Sequence, residues 1–261
     1  MSLNPQQWLQ VVSVFLAAFL GVCSGILLEL FKTWRTSTKE KVERQKREVA
    51  KINVAISGIG FNIETLLHAA SQYILPHHID SHRAYTALLS AMGDPQKAAQ
   101  FAATPFPVTY RALVTTCPEL YFIEWDFFKE APFIVEKDPE LLKQTGWLTS
   151  QSRDLATAIK NRNNHILDAM RTTTAQGGLP LTTLHTILHL QTSIADAECI
   201  TSLQLFELLL DMNKKLEAIN ATYKIKARKS KLTAAKPLEA VMNQLREIVT
   251  QLDNPNSPTT A

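Results

Sequence analysis

Between Val11 and Leu28 the chain carries no charged residue, and before that run, from Met1 to Gln10, it carries no lysine or arginine. Elsewhere too the sequence is informative by what it lacks. Its three cysteines, Cys23, Cys117 and Cys199, lie far apart and form no CxxC pair, which excludes a disulfide framework or zinc ribbon and suits a reducing compartment. Eight glycines and twelve prolines in 261 residues are too few for a low-complexity polymer. Gly58-Ile59-Gly60 sits inside a helical pattern with no strand before it, so it is no phosphate-binding loop. There is no serine elbow and no spaced carboxylate set, and Cys117 and His165 have nothing around them that marks a nucleophile and its base. A net charge of +3 does not make the molecule a polycation, and no nucleic-acid partner is expected. Sustained period-two alternation is missing, which excludes strands. The expected fold class is all-α, and neither catalysis nor a cofactor is expected.

What is present begins with the uncharged run itself. Eighteen residues at about 1.5 Å each make roughly 27 Å of helix, close to a bilayer's hydrocarbon thickness. Eleven of them are Val, Ile, Leu or Phe, contributing about −3 to −7 kcal/mol on an insertion scale. Trp8 and Trp34 bracket the run as interfacial anchors do. A cleaved signal lacks its basic n-region here, and at "LGVC" Val22 is too bulky for the position before a lipoprotein cysteine. A soluble core helix would leave the flanking tryptophans and the one-sided basic flank unexplained. Residues 32–51 carry eight basic against three acidic side chains, which by the positive-inside rule places the N-terminus outside and the C-terminus in the cytoplasm of an inner-membrane protein crossing once. Lys32, Arg35, Lys39, Lys41 and Arg44 are the expected contacts to anionic lipid. Within the span, Ser13, Ala17, Gly21 and Gly25 recur every four residues as a small-residue packing ridge, which predicts a homo-oligomer formed through this face.

After the span the helical pattern continues. Val42, Gln45, Val49, Ile52, Ile56, Ile59, Ile63, Leu66, Ala70 and Tyr73 alternate in steps of three and four, the spacing of a coiled-coil or bundle helix and a second route to oligomerisation. Gly58 and Gly60 interrupt it, calling for either a tightly packed neighbour or a bend. Pro76 is expected to break this helix, with Ser81 capping a short one closed by Gly93. Further starts are predicted at Asp94-Pro95, Pro118 and Asp138-Pro139, and long helices from Pro139, Leu181 and Pro237. The expected organisation is 1–8 extracytoplasmic, 9–31 transmembrane, 32–75 basic juxtamembrane and heptad helix, 76–252 helical bundle, and 253–261 disordered tail.

Side chains with chemistry to offer divide into a few groups. His77, His78, Asp80 and His82 crowd the expected turn, but adjacent histidines diverge, and a solvated loop is the reading taken. His185 and His189 share a helix face, yet Thr186 stands where HExxH chemistry needs a glutamate. No metal is expected. Arg162 or Asn163 interrupts an apolar stripe as a buried polar contact that sets helix register. Tyr121, Trp125 and Phe128 lie in a stretch with six aromatics in thirteen residues, among acidic neighbours. They are the expected surface for an unidentified cytosolic protein. Lys214 to Lys236 is strongly basic, consistent with a solvated helix end. Together these features point to a membrane-anchored protein-interaction scaffold or signalling adaptor. The alternative is a membrane effector that oligomerises through its span and perturbs the bilayer.

Overall fold

A computed structural model describes residues 5–103, 111–176, 180–223 and 235–254. Every regular element among them is helical: α1 Pro5–Ala69, α2 Leu75–Met92, α3 Pro95–Ala103, α4 Phe127–Glu130, α5 Pro132–Lys137, α6 Glu140–Gln176, α7 Leu181–Ala221 and α8 Ala235–Asp253, with a π-helical turn at Ala70–Ile74 and a 3₁₀ turn at Arg111–Val114. The basic segment around Lys224 to Lys231 and the tail after Asn254 lie outside the described residues. The chain divides into two compact units, residues 1–50 and 51–261.

In the first unit the uncharged run is helical, and its large apolar side chains among the described residues are exposed. One eighteen-residue window near the N-terminus has a mean hydropathy of 2.3, and none of it is buried. This helix is long and apolar enough to cross a membrane. A soluble core helix of this composition would be covered, because exposing apolar surface costs about 25 cal/mol per Å².

The second unit is built around α7, which packs most extensively against α6, then α2, then α8. Its main core joins Ile52, Ile56, Ile59, Ile63 and Leu66 of α1 to Leu141, Leu148 and Leu155 of α6, to Phe206, Leu209 and Met212 of α7, and to Leu245 of α8. The spacing of three, four and seven residues puts each set on one helix face, and burial of that face, more than intrinsic propensity, holds such helices in water. Asp138 opens α6 with Oδ1 accepting the Glu140 N–H at 3.0 Å. Asp94 does the same for α3 through the Gln96 N–H at 2.9 Å. Each satisfies an amide that the first helical turn leaves without a partner. A smaller apolar cluster, Ala84, Leu88, Leu113, Leu184 and Leu188, joins the far end of α2 to the start of α7.

Three expectations are corrected. Pro76 does not break the helix: α2 follows α1 through the π-turn, where the Leu75 N–H reaches the Ala70 carbonyl five residues back. The widened turn makes room for a ring that would collide with a carbonyl in a regular α-helix. Ser81 is accordingly no cap. It is buried in mid-helix, and its hydroxyl donates to the His78 carbonyl at 3.0 Å. Nor does Pro118 start a helix; residues 115–126 run without regular secondary structure. Asparagine side chains tie this strap down at both ends. Asn163 accepts from the Cys117 N–H at 3.0 Å and donates to its carbonyl at 2.8 Å. Asn62 does the same for Ile123, at 2.7 and 2.9 Å. A carboxamide offers a donor and an acceptor side by side, so it pairs with one residue's backbone as a neighbouring strand would.

Candidate functional site

Keeping α2 helical past Pro76 changes what its histidines can do. His78 and His82 become an i, i+4 pair on one face, while His77, one residue earlier, is rotated by about 100° toward the interior. The facing helix α7 carries Gln191, Asp196 and Glu198 between its two apolar stretches. The result is a polar belt across the α2–α7 seam, with the main core on one side and the smaller cluster on the other.

The belt's inner layer is fully buried. Arg162 of α6 donates through Nη1 to Oε2 of Glu198 at 2.7 Å, and neither side chain has exposed surface. His77 lies alongside, its Nε2 2.9 Å from Oε1 of Gln191 and its Nδ1 3.8 Å from Oε2 of Glu198. Burial, reinforced by the Arg162 charge, pushes His77 down to about 3, so the ring is neutral; Nε2 then carries the proton and donates to Gln191. Burial pushes the Glu198 carboxyl up to about 7 against the pull of the guanidinium. Nε and Nη2 of Arg162, Oε1 of Glu198 and Oγ of Ser202 have no hydrogen-bond partner within the protein. A pair satisfied on one edge only is an expensive thing to bury. The thiols of Cys117 and Cys199 are also buried, and desolvation raises both, Cys117 to about 11. A thiol held protonated is a poor nucleophile, so no cysteine chemistry is built here.

The outer layer reaches solvent. Nε2 of His82 hydrogen-bonds Oδ1 of Asp196 at 2.7 Å; Nε2 of His78 lies 3.1 Å from the same oxygen without hydrogen-bond geometry, and the two ring centroids are 4.4 Å apart. Burial works to raise the Asp196 carboxyl, but the two imidazoles set against it, His78 and His82, bring it down to about 2. One turn further along the seam, Tyr85 meets His185, with Oη 3.3 Å from Nε2, and its ring lies 5.7 Å from that of His189. Among the described residues no carboxylate completes that second histidine pair. A depression of about 140 Å³, lined by His165, Thr183, Ile187 and Leu190, is well below the 300–1,000 Å³ of a typical small-molecule pocket.

The other residues singled out by the sequence fall in separate places. Ser13, Ala17, Gly21 and Gly25 are exposed along α1, and a Cβ added to Gly21 or Gly25 would meet nothing within 4 Å. Lys32, Arg35, Lys39, Lys41 and Arg44 are exposed on the same helix; Lys32 pairs with Glu29 at 3.4 Å and Arg44 with Glu48 at 2.9 Å. Tyr121 is exposed, its hydroxyl donating to Glu119 at 2.7 Å. Trp125 turns inward, half-buried against the main core and seated on Gly58. The side chain of Phe128 lies outside the described residues.

Glu198 and Asp196 gave no sign in the sequence, because two acids in a long helix read as solvated. The one available signal was that Glu198 falls on the same face as Leu205, Leu209 and Leu216. No family model matches the chain, and no curated protein or solved structure is similar to it.

Proposed function

We propose that the protein is held in the inner membrane by a single span, N-terminus outside and C-terminus in the cytoplasm, and that its helical domain binds another protein there. It acts as a scaffold or signalling adaptor and catalyses no reaction. The observation that carries this reading is the uncovered apolar run. Phe15, Leu16, Phe19, Leu20 and Leu27 are each more than half exposed, a surface that lipid solvates and water does not. The exposed basic residues Lys32 to Arg44 supply the cytoplasmic flank and contacts to anionic head groups, each contributing about 1 kcal/mol near the surface. Exposed Tyr121 and Ile123, with Glu119, Glu124 and Asp126 exposed around them, make an acidic and aromatic strip suited to a basic partner segment.

One observation favours the second reading, a membrane effector that assembles through its span: the ridge of Gly21 and Gly25 is open, as close helix–helix packing in lipid requires. One set of expressions separates the two. Deleting residues 1–31 should move the chain to the soluble fraction, and a reporter at the C-terminus should be cytoplasmic; persistent membrane association would refute the anchor. Replacing Gly21 and Gly25 by leucine should abolish any toxicity of the full chain under the effector reading. Under the scaffold reading it should leave partner capture intact, with Tyr121→Ala/Ile123→Asp removing it.

A further inference from the structure

We infer that His78, His82 and Asp196 form a binding site for a divalent transition-metal cation of the zinc class. The donor set carries the inference first. Two imidazole nitrogens and a carboxylate oxygen lie within 4.8 Å of one another; both Nε2 atoms stand close to a single oxygen, at 3.1 and 2.7 Å, and the buried Nε2 of His78 makes no hydrogen bond within the protein. Ligand bonds of about 2.0–2.2 Å place donor atoms roughly 3–3.5 Å apart in a tetrahedral site, so small side-chain adjustments close the set around an ion. Two-histidine, one-carboxylate coordination suits zinc and its first-row neighbours and selects against magnesium or calcium, which take oxygen.

Rigidity comes second. His78 and His82 are one helical turn apart on α2, and α7 holds Asp196 opposite them. The seam is pinned on one side by His77 and Gln191 at 2.9 Å and on the other by Tyr85 and His185 at 3.3 Å. A site mounted on two packed helices loses little entropy when it captures an ion. The third point is the charge around it. Among the described residues Asp196 has no lysine or arginine within salt-bridge distance; its two partners are these histidines. The nearby cation Arg162 is committed to Glu198 on the buried side. Access is open, since the His82 side chain is 41% exposed. Three protein ligands leave one coordination position for an external ligand. The same groups can also stay together through the His82–Asp196 hydrogen bond and the packing of the two helices alone, and that is the rival the test must defeat.

The inference is independent of what the membrane segment does. The full chain, purified in mild detergent with any tag removed and stripped by a chelator, is titrated with Zn²⁺ by calorimetry, with Co²⁺ absorption as reporter of coordination. One Zn²⁺ per chain is expected, with a rise in Tm on loading. His82→Ala and Asp196→Asn should each weaken binding at least tenfold and remove the Tm response, while His189→Ala, on the histidine pair without a carboxylate, binds as the parent does. Circular dichroism checks folding, and half-exposed His82 also takes the gentler change His82→Gln should alanine perturb the helix. Failure of the parent to take up stoichiometric Zn²⁺, or unchanged uptake in folded His82 and Asp196 variants, overturns the site and leaves a hydrogen-bonded cluster.

Discussion

Among the described residues Arg162 is the largest side chain with no exposed surface, and Glu198 is its one ion-pair partner. Removing one member of such a pair leaves the other charged or unsatisfied in a low-dielectric interior, which costs more than the pair itself contributes. Arg162→Met should therefore destabilise the fold by about 3–5 kcal/mol, read as a lower denaturant midpoint. The double change Arg162→Met/Glu198→Leu should recover most of that loss. If the double variant is as unstable as the single, the pair is not the source of the cost. The position was partly readable beforehand, since "IKNRNNHIL" puts a polar residue into an apolar stripe. Which residue took which partner was not. Arg162 reaches across to α7 and Asn163 reaches to the strap, and both partners lie dozens of residues away in sequence.

At the level of elements, the choice at Gly58 and Gly60 between a close neighbour and a bend goes to the neighbour. A Cβ on Gly58 would sit 2.7 Å from Cζ2 of Trp125, whereas one on Gly60 would meet nothing within 4 Å. In a helix interior alanine is better than glycine by about 1 kcal/mol, so Gly60→Ala should raise stability by up to that amount. Gly58→Ala must displace the indole and should cost about 1–3 kcal/mol, with a change in Trp125 fluorescence. Equal Tm shifts in the two variants would refute the packing. The α1–α2 junction shows the opposite limit. Pro76 is a strong local signal for a helix end, yet packing on both sides of the junction, through Ala70, Ile74 and Leu75 in the main core, favours a continued helix with a π-turn. Tertiary burial outweighs a local preference there, and the error it causes in reading propagates: it hides the i, i+4 spacing of His78 and His82.

In residues 51–261 as a whole, the polar belt separates a large core from a satellite of five buried residues, Ala84, Leu88, Leu113, Leu184 and Leu188. Regions with few buried apolar contacts open locally at lower free energy than the global transition. Amides at the Leu88–Leu188 end of the seam should exchange with deuterium at least tenfold faster than those around Ile63 and Leu209, measured on the detergent-solubilised chain. Uniform protection would mean that the belt couples the two clusters into one cooperative unit.

Composition and periodicity by themselves determined that the protein is helical, that it has one helix able to cross a membrane, and where α3, α6, α7 and α8 begin to within a few residues. These properties depend on local spacing and on the transfer of side chains from water, both of which are written along the chain. Tertiary structure alone decided that Trp125 turns inward onto Gly58, that two asparagines hold the strap, and that histidines from α2 meet carboxylates from α7 more than a hundred residues later. Those pairings depend on which helix faces come together, and that is settled by the summed burial of the whole core, a quantity no single window of sequence contains.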